Sequence, residues 1–453
     1  MDILLNENWV HVYMEDLGRE TVKNILKEVM DSIRKDVLEG KLAEIRAGMI
    51  RERATNMLQG KKERSLRRVV NATGVIVHTN LGRSCLADDA AKAVAEVSSF
   101  YNTLEYDLGL GHRGQRNDHV EWLLCQVTGA EAAVVVNNNA GAVMLCLAAL
   151  ARDREVIVSR GELVEIGGSF RVPEIMAFSG ARLVEVGATN RTHLRDYSQA
   201  IDADTAMVMK VHPSNFRIQG FSSEVPREEL ASLAREKGLI FMEDLGSGVL
   251  IDVENFGLSG EPKVGDCLDA GVDLVTFSGD KMLGGPQIGG VVGRKEIIDS
   301  LRKYPLLRAL RVDKMTLAAF ESTLRLYLQG RWDEIPTLQM LSMKPEMMKK
   351  KASSLARRLR KAVPAAEIKV LEVDDAVGGG AFPVTSLPGY GVSVREKTLG
   401  SSGSLLEKLR DFQVPVIAGA REDAVIIHVR TLRKGDEDII TEHFRKLTLE
   451  RGE

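Results

Sequence analysis

Little in this sequence suggests a disulfide-stapled, metal-bound or membrane-spanning protein. Its four cysteines, Cys85, Cys125, Cys146 and Cys267, are widely spaced and form no C-x-x-C pair, so neither a disulfide framework nor a zinc site is indicated. No run of about 20 apolar residues is present, which argues against a membrane-spanning helix. The N-terminus is acidic early and lacks an apolar h-region, so no signal peptide is read there. The formal net charge is −3, which gives no global basic signature for nucleic acid. Internal repeats and low-complexity tracts are missing too. These absences leave a cytoplasmic enzyme as the expectation.

What is present fits an ordinary soluble globular protein, with 28% charged and 44% hydrophobic residues. A chain of 453 residues predicts two or three domains. Charge is uneven locally: residues 1–40 carry five Lys/Arg and nine Asp/Glu, and residues 41–70 carry nine Lys/Arg and three Glu. A basic segment of this kind suits either a solvated helix face or contact with phosphates. Val22, Ile25, Leu26, Val29, Ile33 and Val37 recur at helical spacing, predicting one amphipathic helix over 19–40 that ends at Gly40. A second helix is expected over 41–58. Together they form a small helical domain, 1–66.

From Val69 short apolar runs alternate with helical periods. The runs are Val75–His78, Ala132–Val136, Glu155–Val158, Ala181–Val186, Ala206–Val211, Leu239–Glu243, Val272–Phe277 and Gly289–Val292. This alternation predicts an α/β fold with a mostly parallel sheet covered on both faces, over 67–330. After Gly330 the pattern breaks, and a smaller α/β domain is expected over 331–453. Asp374 to Pro388, with Gly378-Gly379-Gly380 and two prolines, reads as a loop.

Ligands of such sheets bind beyond the carboxyl ends of the strands, which selects the loops that matter. Val136 runs into Asn137-Asn138-Asn139-Ala140-Gly141-Ala142 and then a helix, a fit for a phosphate on helix amides. Met242-Glu243-Asp244 ends a strand before Gly246-Ser247-Gly248. A buried aspartate there requires a partner, and a cationic ring nitrogen would be one. Another strand end delivers His212, Ser214 and Asn215. Ser278-Gly279-Asp280-Lys281-Met282-Leu283-Gly284-Gly285-Pro286-Gln287 holds Lys281 on a fixed turn. A lone lysine in a turn is usually a solvated surface charge. A phosphate cradle, then an aspartate, then a lysine, each at a strand end, is instead what pyridoxal 5'-phosphate requires. Arg83 at a strand exit, and Arg308 and Arg311 three residues apart, add anion-binding groups.

These stretches resemble those of bacterial selenocysteine synthase, the L-seryl-tRNA(Sec) selenium transferase family. The likeness is carried by Arg68 to Gly74, Thr79 to Arg83, Val136 to Ala142, Ser159 to Phe170, Lys210-Val211-His212, Asp244 to Gly248 and Ser278 to Gln287. It covers roughly 68–435 strongly and the N-terminal helices more weakly. Ala188-Thr189-Asn190 stands where the family often has Thr-Thr-Asn. The resemblance implies a fold-type I (aspartate-aminotransferase-like) pyridoxal phosphate enzyme, with the N-terminal domain binding tRNA and a homo-oligomer built from dimers whose active sites lie at dimer interfaces. It implies that Lys281 binds the cofactor aldehyde, that Asp244 pairs with its ring nitrogen, and that Asn138, Asn139, Ala140, Gly141 and Ala142 hold its phosphate. Glu162, His212 and Ser278 complete the expected cofactor contacts, with Glu162 near the position that stacks on the ring. Arg83, Arg308 and Arg311 would lie near incoming selenophosphate, and Asp280 would assist proton transfer or cap the turn.

The implied reaction converts seryl-tRNA(Sec) to selenocysteinyl-tRNA(Sec) through an aminoacrylate, with Lys281 as the base for the α-proton. Two alternatives stand beside it. One is a pyridoxal phosphate lyase for a small amino compound, which needs neither the basic segment nor the N-terminal helices. The other is a non-catalytic tRNA-binding protein, which needs no cofactor.

Overall fold

The computed structural model describes residues 1–449 apart from 43, 47, 167–169, 397 and 399. Two short strands, β1 (Val70–Ala72) and β2 (Val75–Val77), follow the N-terminal helices. The apolar runs become β3 (Ala132–Val136), β4 (Glu155–Ser159), β5 (Arg182–Val186), β6 (Thr205–Val211), β7 (Ile240–Gly246), β8 (Leu274–Ser278) and β9 (Gly289–Gly293). The C-terminal part adds β10 (Glu367–Gly378), β11 (Ala381–Arg395), β12 (Val416–Arg421) and β13 (Ala424–His428).

Strands β3 to β9 form one sheet in the order β3-β9-β8-β7-β6-β4-β5. Its central pairs are parallel, and β9 runs antiparallel between β8 and β3. Strands β3, β6 and β8 are buried along their whole length, as expected of a sheet covered on both faces. Packing explains the two glycines that open β9. A Cβ on Gly290 would lie 2.4 Å from the Phe277 ring. One on Gly289 would lie 2.2 Å from the Asn138 carbonyl oxygen. The Phe277 ring is thus fully buried, worth about 2–3 kcal/mol, and the β3 exit is drawn against β9.

The second sheet has the order β1-β12-β13-β11-β10-β2, which corrects two expectations. Val75–His78, expected to open the large sheet at the head of the 67–330 domain, joins the C-terminal strands instead. Val70 pairs with Val416, and Val75 with Ala376. Periodicity marks a strand without naming its partner. The stretch from Asp374 to Pro388 is also not a loop. Its register with β10 places Pro388 opposite Asp374, and β13 joins the other side of β11 only at Gly391. Pro388, which has no N–H to donate, therefore faces a side without a neighbouring strand. The glycines make the hairpin turn, with φ of 80°, 64° and 74° at Gly378, Gly379 and Gly380.

The first 69 residues form a separate compact unit. Asn8–Leu17, Arg19–Leu38 and Met49–Lys62 are helices, so the first was missed and the third starts later than expected. Val22, Ile25, Leu26, Val29 and Ile33 meet Ala54 and Leu58 in its core. Some of the basic charge is neutralised within the unit, since Arg53 pairs with Asp36 and Lys62 with Asp16, each at 2.6 Å.

Candidate active site

The carboxyl ends of β3, β4, β6, β7 and β8 share one edge of the large sheet, and the antiparallel β9 begins there. Register alone brings the key groups together: Val211 lies beside Asp244, and Asp244 beside Thr276. Asp244 is 3% exposed. Its Oδ1 accepts hydrogen bonds from Asn139 Nδ2 at 2.8 Å and Thr276 Oγ1 at 3.0 Å. Its Oδ2 has no hydrogen-bond partner among the described residues. Burial pushes the Asp244 pKa up, while the two hydrogen bonds and Lys281 pull it down.

Lys281 sits three residues past β8 and is 6% exposed. Burial holds its pKa below the ordinary lysine value; nearby Arg83 lowers it further, and Asp244, Asp280 and Glu261 oppose this. Its main chain is fastened from several sides. Ser84 Oγ donates to the Lys281 carbonyl at 2.7 Å, the Ser84 amide donates to the Asp280 carbonyl, and the Met282 amide donates to the Ser247 carbonyl. Arg83 donates to Asp280 Oδ2 at 2.7 Å.

At the β3 exit, Asn138 caps the helix Asn139–Leu150. Its side chain takes the Gly141 amide at 2.8 Å, and its carbonyl takes the Ala142 amide. Two of the amides expected to be open are therefore engaged, while those of Asn139 and Ala140 have no acceptor among the described residues. Asn139, expected at a phosphate, turns its side chain to Asp244.

Other expected residues are placed differently. Glu162 is buried, but its carboxylate accepts from Lys210 Nζ at 3.1 Å and from the Val211 amide at 2.9 Å. It fastens the end of β6 and offers no flat face for stacking. His212 follows β6. Its amide donates to the Asp244 carbonyl, and its Nε2 lies 3.3 Å from Glu261 Oε1. Burial lowers the His212 pKa, yet the Glu261 hydrogen bond and charge outweigh it and the net shift is upward. Ser278 ends β8 and is buried. Arg308 and Arg311 do not join this cluster. They border another cavity with Glu105 and Arg116, and Arg311 lies 3.8 Å from Glu105. Their segment still touches the cradle, because the Asn137 amide donates to the Leu310 carbonyl. In the Ser159–Phe170 stretch, Gly167, Gly168 and Ser169 lie outside the described residues.

Sequence reasoning missed Thr276 and Glu261. Thr276 is a polar residue in an apolar run, a signal that acquires meaning only once β7 and β8 are paired. Glu261 stands in a Gly-Glu-Pro turn that nothing local sets apart.

The family model for L-seryl-tRNA selenium transferase matches residues 69–433. This chain belongs to the L-seryl-tRNA selenium transferase family. The member from Clostridium botulinum (strain Loch Maree / Type A3) is 48% identical over 449 residues, covering 99% of this chain and 97% of its own. The member from Geobacter sulfurreducens is 51% identical over 387 residues, covering 84% and 83%. Among solved structures, D-glucosaminate-6-phosphate ammonia-lyase shares the fold, with a TM-score of 0.60 at 19% identity over 88% of this chain and 99% of that one. The fold is fold type I of pyridoxal phosphate enzymes, and the chain is a pyridoxal phosphate-dependent transferase of selenocysteine synthesis. The donor set fits that cofactor. Asp244 is a buried carboxylate with an oxygen to spare for a ring nitrogen. Lys281 carries an amine without a hydrogen-bond partner among the described residues. The Asn139 and Ala140 amides stand open at a helix N-terminus.

Proposed function

We propose that this chain converts seryl-tRNA(Sec) to selenocysteinyl-tRNA(Sec) with selenophosphate as the selenium donor. The observation that carries the reading is the joint position of Lys281, Asp244 and Arg83 at one sheet edge. Lys281 would hold the cofactor aldehyde, Asp244 Oδ2 the ring nitrogen, and the Asn138 to Ala142 turn the phosphate. When bound, pyridoxal phosphate withdraws electron density from the serine α-carbon, which loosens its proton and the β-hydroxyl. Lys281 Nζ, kept less basic by burial, takes the α-proton. Asp244, fixed by Asn139 and Thr276, keeps the ring nitrogen protonated. Arg83 binds the selenophosphate oxyanion, and Asp280 orients its guanidinium.

We place the remaining parts in the same reading. Residues 1–66 bind the tRNA, and the protein works in the cytoplasm as an oligomer of dimers. Arg308 and Arg311 would then act across a dimer interface, which suits their place around a cavity that Lys281 does not line. The small-molecule lyase reading lacks a role for the basic 41–70 segment.

The test is a selenium-transfer assay with charged tRNA, with and without selenophosphate, alongside the visible spectrum of the purified protein. Selenocysteinyl-tRNA should form only with the donor, and the cofactor absorbance should vanish in Lys281→Ala. Pyruvate or cysteine-like products alone, or a colourless protein that pyridoxal phosphate cannot reconstitute, would overturn the reading. Removing residues 1–60 should abolish tRNA binding and turnover, whereas unchanged turnover would favour the small-substrate lyase.

A further inference from the structure

A cavity of about 510 Å³ is lined by His212, by Glu261 and by Phe382, Pro383 and Thr385 of β11. That volume falls within the roughly 300–1,000 Å³ of small-ligand pockets. Three carboxylates line it, and two cations serve them. Glu162 and Glu224 take Lys210 at 3.1 Å, and Glu261 takes His212 at 3.3 Å. Two arginines line it as well, and neither has an ion-pair partner among the described residues. The Arg191 guanidinium lies over the Phe221 ring, 4.2 Å from its centroid. Its Nε is shielded from solvent and makes no hydrogen bond. Arg217 is exposed. The two guanidinium groups thus have no carboxylate paired to them directly, which suits a phosphate. Phe216 and Phe382 add aromatic faces to its wall.

Glu261 is the lining carboxylate near enough to Lys281 for its charge to act there. Its side chain is 3% exposed, and its Oε2 is buried without a partner. A free acceptor of this kind calls for a hydroxyl donor beside the reacting centre.

We propose that this cavity seats the 3'-terminal adenylate of the charged tRNA. The proposal rests on the seryl-tRNA reading above. Serine is held to that nucleotide by an ester on the ribose. With the serine amine at the Lys281 end, the ribose must lie next to it and the base and phosphate beyond. Glu261 Oε2 accepts from the neighbouring ribose hydroxyl, which distinguishes a ribonucleotide from its deoxy form. Arg191 and Arg217 take the phosphate, and the base stacks against an aromatic face.

The experiment is calorimetric titration of the holoenzyme with adenosine 5'-monophosphate, adenosine and 2'-deoxyadenosine 5'-monophosphate. The wild type should bind the ribonucleotide, with adenosine and the deoxy form each at least about 10-fold weaker. Arg217→Ala and Arg191→Ala should each weaken binding of the ribonucleotide about 10-fold, bring it close to that of adenosine, and raise KM for seryl-tRNA in parallel. Arg217 is exposed, so its variant separates loss of binding from loss of fold. The visible cofactor spectrum should be the same in all three proteins. Equal affinity for the nucleotide in wild type and both variants would overturn the proposal, as would displacement of the nucleotide by selenophosphate, which would make this the donor site. If selenium transfer fails while nucleotide binding still depends on both arginines, the cavity assignment stands and the transferase reading falls.

Discussion

Arg83 and Asp280 meet at 2.7 Å across the lysine-bearing turn, and the backbone bends to allow it. Arg83 has φ of +60°, a left-handed conformation that costs a residue with a side chain about 1–2 kcal/mol. Strain held at an ion pair beside Lys281 marks a residue placed for its guanidinium. Arg83→Gly should therefore unfold at higher urea than Arg83→Ala, by about 1 kcal/mol, while both lose roughly 10²–10³-fold in selenium transfer. Asp280→Asn, which keeps the guanidinium but frees it, should lose about 10-fold, mainly in KM for selenophosphate. Full activity in the glycine variant would remove Arg83 from the site.

Asp244→Asn keeps shape and removes charge. The ring nitrogen would then lose its counter-ion, and turnover should fall at least about 100-fold. The visible band should persist, because Lys281 is untouched. Thr276→Val should give a smaller loss, about 10-fold or less, since Asn139 still holds Oδ1. Stopped-flow absorbance with seryl-tRNA separates binding from turnover in both variants.

The lysine also makes a prediction about pH. In the apoprotein its folded pKa lies below 10.5 because of burial, and the unfolded chain has the ordinary value. Between those values the unfolded state binds more protons, so folding stability rises with pH across that window. Below the folded pKa the lysine contributes a constant penalty. Lys281→Met should raise stability at neutral pH and flatten the alkaline part of the profile. Urea titrations of apoprotein from neutral pH to pH 10 would show it, and identical slopes in wild type and variant would contradict the assigned burial effect.

Gly289→Ala tests the close approach of β9 to the cradle. The added methyl would sit 2.2 Å from the Asn138 carbonyl oxygen, so either β9 or the turn must move. The expected cost is about 1–3 kcal/mol in stability, with a matching loss of cofactor affinity in a reconstitution titration. A drop in melting temperature with unchanged cofactor affinity would show that the strand moves and the turn does not.

In the second sheet, buried Asp375 accepts from Arg430 Nε at 2.7 Å and lies 2.7 Å from His428 Nδ1. The Arg430 side chain is 3% exposed. Asp375→Ala would strand a buried cation and should cost about 3–5 kcal/mol by denaturant titration. Exchanging Asp375 and Arg430 together for apolar residues should cost less than Asp375→Ala alone.

Much of this site was legible in the chain because its parts obey local rules. Asn138 reads as a helix cap, Asp244 and Lys281 follow apolar runs, and strand ends are where this architecture binds ligands. What stayed hidden depends on pairing between distant segments. Nothing near Glu261 announces His212, and nothing near Glu162 announces Lys210. Pro383 and Pro388 suggested a loop because the open flank of β11 cannot be seen from sequence. Arg308 and Arg311 read as anion-binding types, but residue type does not say which cavity a side chain borders.

The pairing of Val70 with Val416 also has a consequence in time. A ribosome adds roughly 5–20 residues per second, so β1 leaves the exit tunnel tens of seconds before its partner exists. The loop carrying Arg83 and Ser84, which fastens the lysine turn, follows directly on β2. Until β10 and β12 are made, that loop has no finished sheet to hang from. The site is then completed last, when nearly the whole chain has been synthesised, and a truncated product would carry Lys281 without the frame that fixes it.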